Sequence, residues 1–161
     1  MVGMQTATPP ATAAPVVCDD GPLVYAQHAG HGTRELAQSY GGEIFRVGMA
    51  KLDTIPRVAV LHDLTLLTQI DESYAIEFGK FALQMGDQRF RFFVVAPKAW
   101  MRVLVRVSAT LGRIQLLVVK TVPDALAAAA KEGFDFSGLA ADPRLRQHWL
   151  DATSAGATPQ T

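Results

Sequence analysis

Residues 57–64, RVAVLHDL, 90–97, FRFFVVAP, and 114–121, IQLLVVKT, are three short apolar runs separated by segments of helix length. Each run is nearly continuous in Val, Leu, Ile or Phe, as a strand covered on both faces requires. Between the first two lies IDESYAIEFGKFALQM (70–85), with Tyr74, Ala75, Phe78, Phe81, Ala82 and Met85 on one helical face and Glu77, Lys80 and Gln84 on the other. Asp71 is placed to cap that helix, and Glu72 sits near the positive end of its dipole. After the third run, Thr121 and Asp124 have capping-box spacing ahead of PDALAAAAK (123–131), which ends at Gly133. Alternating strands and helices imply crossover connections. The expected fold is therefore α/β, one domain with a mostly parallel sheet of four to five strands and about four helices.

The segment KAWMRVLVRVSATL (98–111) reads two ways. As a helix it sets Lys98, Arg102 and Arg106 in one row and Met101, Leu104, Val105, Ser108 and Leu111 in an opposite stripe. As a strand it turns residues 90–119 into an antiparallel meander, and the length of the segment favours the helix. Upstream, LVYAQHAG starts a strand at Leu23 that runs into the turn-prone HAGHGT. Thr33 then caps a helix over RELAQSYGGEIFRVGMAKL, where Gly41 and Gly42 make a break or bend a live alternative. Residues 1–20, rich in Ala, Thr and Pro, are expected to form a disordered tail. The domain is assigned to 21–138 and a C-terminal tail to 139–161, with a short helix from Asp142 and Pro143 carrying Leu145 and Trp149.

The 161 residues suffice for one core; 49% are hydrophobic and 19% charged. With 15 Lys plus Arg against 15 Asp plus Glu, nothing draws the chain to nucleic acid or an anionic membrane at long range. No apolar run approaches the roughly 18 residues of a spanning helix. The N-terminus lacks the charge and apolar core of a secretory signal, and Cys18 has no second cysteine to pair with. A cytoplasmic location is the resulting expectation.

Candidate chemistry is sparse. His28, His31 and His62 could converge on a metal, but no carboxylate or cysteine completes a zinc spacing, so neither metal nor cofactor is expected. The GHG before Thr33 lacks the downstream residues of a phosphate loop. No nucleophile and base can be paired, which argues against an enzyme. The row Lys98, Arg102 and Arg106 suits an acidic partner or a solvated face equally. Thr65, Ser73, Lys98 and Trp100 fall near strand ends, where open sheets bind ligands.

Residues 57–130, with a strand ending in Asp63-Leu64, a short loop, Ile70-Asp71 and a helix, and then the terminal PDALA, resemble the STAS domain family. That family includes bacterial anti-sigma factor antagonists and the broader SpoIIAA-like group. The resemblance implies a non-catalytic regulatory domain that docks a protein partner such as a kinase-like anti-sigma factor, with Ser73 as the phosphorylated residue. A phosphate there would meet free helix-start amides while adding negative charge to the docking surface. The implied docking set is Asp63, Thr65, Asp71, Glu72, Ser73, Tyr74, Lys98, Trp100 and Arg102, and a homodimer is compatible with it. Two residues depart from the family pattern: Glu72 replaces a hydroxyl residue and Tyr74 a glycine. The alternative implied role is the binding of a small apolar molecule enclosed near Phe78, Phe81 and Trp100.

Overall fold

The structure, a computed structural model, describes residues 16–86, 89–136 and 138–139. The short helix expected from Asp142 and most of the two tails lie outside these residues. Five strands, β1 (Val16–Asp20), β2 (Leu23–Gly32), β3 (Val58–Ile70), β4 (Phe90–Val95) and β5 (Leu116–Val119), form one sheet in sequential order. The helices α1 (Arg34–Leu52), α2 (Glu72–Gln84), α3 (Ala99–Gly112) and α4 (Val122–Lys131) alternate with them. β2 to β5 are parallel, and β1 pairs antiparallel with β2. The α/β class, the mostly parallel sheet and the helix count match the expectation from the apolar runs.

Topology decides where the site lies. When parallel strands add in one direction through right-handed crossovers, every connecting helix falls on the same face. Accordingly Leu36, Tyr40 and Ile44 of α1, Tyr74 of α2 and Met101 of α3 share one core with Val24, Val60, Phe92 and Val94 of the sheet. The opposite face holds Tyr25, Leu61, Phe93 and Val95 beneath Val122, Ala125 and Ala129 of α4 and the trailing Phe134, Phe136 and Leu139.

Three features differ from the sequence reading, and two of its alternatives are settled. Residues 16–20, assigned to the tail, are strand β1, joined to β2 by Gly21 and Pro22, with Gly21 at φ 50° and Cys18 buried. The expected turn at HAGHGT is strand as far as Gly32, and the expected loop after Leu64 is strand as far as Ile70, because the two stretches pair with each other beyond the end of β4. α1 passes unbroken through Gly41 and Gly42. A Cβ on Gly41 would lie 2.2 Å from Cδ2 of Phe81, so the glycine that weakens helix propensity is what lets α2 pack closely on α1. Residues 98–111 resolve as helix, closed by Arg113 in the left-handed region at φ 53°.

The caps follow the sequence only in part. Thr33 and Thr121 accept hydrogen bonds from the amides of Leu36 and Asp124, both at 3.2 Å. Asp71 occupies the cap position of α2 without making a side-chain cap; its carboxylate pairs with His31 Nε2 at 2.7 Å instead.

Candidate functional site

The apolar layer between the sheet and α1, α2 and α3 contains a chain of polar side chains. His28 projects from β2 onto the helix-covered face, in alternation with Val24 and Ala26, beside a register shift at which β3 carries one more residue than β2. His62 projects from the same face of neighbouring β3. Their rings meet through His28 Nε2 and His62 Nδ1 at 3.1 Å. His28 Nδ1 is hydrogen-bonded to the Tyr74 hydroxyl, contributed by the first turn of α2. Tyr40 of α1 stacks on His28 with centroids 4.2 Å apart and planes 18° from parallel, and its hydroxyl donates to the Gln27 carbonyl. Phe78 packs against both imidazoles, and Phe92 stacks on His62 at 6.2 Å.

Burial sets the protonation of this chain. Desolvation lowers His62 to about 4. His28 is pushed well below its ordinary value by burial first and by the charge of His62 second. Burial raises the Tyr74 hydroxyl, with Tyr40 adding to the effect. All three side chains are therefore neutral near pH 7.

The chain ends at a cavity. His62, Tyr74, Phe78, Phe92, Leu104 and Val105 are among the residues around a cavity of about 80 Å³. Strand side chains form its floor and α2 and α3 its walls. Ser108 bridges those walls, its hydroxyl lying 2.9 Å from the Ala75 carbonyl and 3.2 Å from that of Leu104. Phe78 and Phe81 line this space as the sequence suggested. Trp100 does not; it is 39% exposed on the outer face of α3 beside exposed Val103, Val107 and Leu111.

The expected docking residues do not form one patch. Asp63 is fully buried on the opposite sheet face, accepting from the Tyr25 hydroxyl, from the Thr65 amide at 3.0 Å and from the Thr65 hydroxyl at 2.5 Å. Because the residues between Asp63 and Asp71 are extended strand at about 3.3 Å each, the two aspartates stand roughly 25 Å apart. Tyr74 is buried, Ser73 is half-buried in the first turn of α2, and Thr65 and Glu72 are exposed. Lys98 is exposed at the cap of α3. The row of cations is broken at its centre, since Arg102 folds back onto the carbonyls of Ala96 at 3.0 Å and Pro97 at 2.9 Å.

Of the three histidines His28, His31 and His62, the first and last meet, and His31 is exposed and pairs with Asp71. Among the described residues no group of three His, Cys, Asp or Glu side chains is placed to hold a metal ion. Tyr25 and Tyr40 were read only as core positions, and Tyr74 as part of the helix's apolar face and of the docking set. Their signal was the departure at Tyr74, where the family pattern has glycine and this chain has a hydroxyl that reaches His28.

No protein-family model matches the chain, and no curated protein matches it. Among solved structures it is similar to an uncharacterized protein of the DUF3478 family with a SpoIIAA-like fold from Shewanella loihica PV-4, at 18% identity and a TM-score of 0.48. The match covers 71% of this chain and 91% of that one. Among the described residues no helix is long and apolar enough to cross a membrane.

Proposed function

We propose that this STAS-like domain is a non-catalytic binding module that holds a small, largely apolar molecule between the sheet and helices α2 and α3. The observation that supports it is the cavity itself, an apolar space walled by Phe78, Phe81, Leu104 and Val105 in a layer that is otherwise closely packed. Its lining, mostly apolar with a few placed polar groups, has the composition of small-molecule sites, and its volume restricts the occupant to a compact molecule. The docking reading centred on Ser73 has less support, because Asp63 and Tyr74 are internal and Asp71 is engaged by His31. Docking of a protein partner there would rest on Glu72 and Ser73 alone.

Native mass spectrometry of freshly purified protein tests the proposal. A species heavier than the bare chain is expected, and it should vanish in Ala82→Phe, which places a ring into the cavity. Bare chain mass alone, together with no thermal shift from any compact aromatic compound, would refute it.

A further inference from the structure

We infer that the Tyr74, His28 and His62 chain is proton-ordered so that His62 Nε2–H faces the cavity as a hydrogen-bond donor, selecting a neutral ligand with one acceptor, such as a ketone or ester carbonyl, on an apolar body. This rests on the cavity being a binding site.

The ordering follows from counting protons. A neutral imidazole has one N–H and one bare nitrogen, so the two contacts through Nδ1 and Nε2 of His28 must run in the same direction. In one direction the Tyr74 hydroxyl donates to His28 Nδ1, His28 Nε2–H donates to His62 Nδ1, and His62 carries its proton on Nε2. In the other, His62 donates to His28 and His28 donates to the Tyr74 oxygen, which leaves the Tyr74 proton in need of another acceptor. Among the described residues the Tyr74 hydroxyl has His28 as its hydrogen-bond partner and no second one. Either direction leaves one donor without a protein acceptor, the Tyr74 hydroxyl on a side chain only 4% exposed or the N–H of His62, which is half-buried and lines the cavity, and an unmet donor costs less at the more accessible group. The first direction therefore wins.

The outcome is a donor with no protein acceptor, since His62 makes its hydrogen bond only through Nδ1 among the described residues. Phe78, perpendicular to the imidazole at 5.6 Å, offers at most a weak contact with a ring face. Ser108 spends its proton on the carbonyls of Ala75 or Leu104. The donor is also uncharged at pH 7, because burial holds His62 near 4. A carboxylate would enter without a counter-charge and lose its hydration, so a neutral acceptor is preferred.

The test uses the whole protein near pH 7.5 with two planar probes of nearly equal size, benzaldehyde and styrene, which differ in a carbonyl oxygen against a methylene, and with benzoate as an anion. One net hydrogen bond corresponds to roughly three- to tenfold in affinity, so benzaldehyde should bind tighter than styrene by that factor and tighter than benzoate. Equal binding of the two planar probes, or tighter binding of benzoate, overturns the donor assignment and leaves the cavity proposal standing. Binding of none of the probes overturns both. Independently of any ligand, long-range proton–nitrogen spectra of the free protein should show the Nε2–H tautomer at both His28 and His62. The Nδ1–H tautomer at His62 would overturn the inference.

Discussion

Lowering the pH from about 6.5 to 4.5 should destabilise this protein through buried His28 and half-buried His62. In the unfolded chain His62 takes up a proton near its ordinary value of 6.5, whereas in the folded protein it resists protonation down to about 4. The unfolded state therefore binds more protons throughout that interval, and folding stability falls as pH falls. Each pH unit costs about 1.4 kcal/mol per histidine, so His62 alone removes about 3 kcal/mol by pH 4.5. His28, lowered by burial in the same way, steepens the slope. Glu43, Glu77 and Glu132 are held below their ordinary 4.5 by hydrogen bonds from Arg46, Lys80 and Arg91, so their contributions are lost only at lower pH. The interval above 4.5 thus isolates the histidines. Urea unfolding followed by tryptophan fluorescence should give a constant free energy from about pH 7.5 to 6.5 and a decline below it. In His62→Gln the slope should drop by about one histidine's share. A flat profile from 6.5 to 4.5 in the parent protein, with an unchanged urea dependence, would refute the assignment of two neutral imidazoles.

Other substitutions probe the same layer. Tyr74→Phe removes the hydroxyl from His28 and leaves a buried ring nitrogen without its partner, at an expected cost of about 1–3 kcal/mol by urea unfolding. Gly41→Ala and Gly42→Ala should act in opposite directions although they are adjacent. The first drives a methyl to within 2.7 Å of Cγ of Phe81, which rotation of the ring about its own axis cannot relieve, and overpacking of about 1–3 kcal/mol outweighs the helix gain of about 1 kcal/mol. The second meets nothing within 4 Å and should stabilise by about 1 kcal/mol, seen as a higher melting temperature. Thr33→Ala should cost about 1 kcal/mol through loss of the α1 cap, measured in the same way.

The central strands, α2 and α4 were legible because their apolar spacing is determined locally. The lengths of β2 and β3 were not, since HAGHG and TLLTQI carry turn-prone or polar residues and become strand only by pairing with each other. β1 was hidden for a similar reason: Val16, Val17 and Cys18 are too few to signal a strand before β2 is there to receive them. Gly41 illustrates the converse, a residue whose local preference opposes the helix and whose tertiary contact with Phe81 requires it. For the site, Phe78 and Phe81 were readable as an apolar face. His28, His62 and Tyr74 were not readable as a unit, because they are separated by 34 and 46 positions and the register between β2 and β3 that brings them together has no sequence signature.

The hairpin of β1 and β2 bears on the order in which the sheet assembles. Cys18 and Tyr25 are paired across a seven-residue separation, while Leu23 and Ala59, the first partners of β2 and β3, are 36 residues apart. The logarithmic growth of closure entropy makes the longer loop dearer by roughly 1.5 kcal/mol before any contact compensates it. The hairpin is accordingly the least costly pairing from which the parallel strands can grow. Truncating a side chain in it, as in Val24→Ala, should slow refolding, whereas Leu117→Ala in the last strand should mainly accelerate unfolding. The N-terminal edge, whose composition resembles a tail, would then be where the folding of the domain begins.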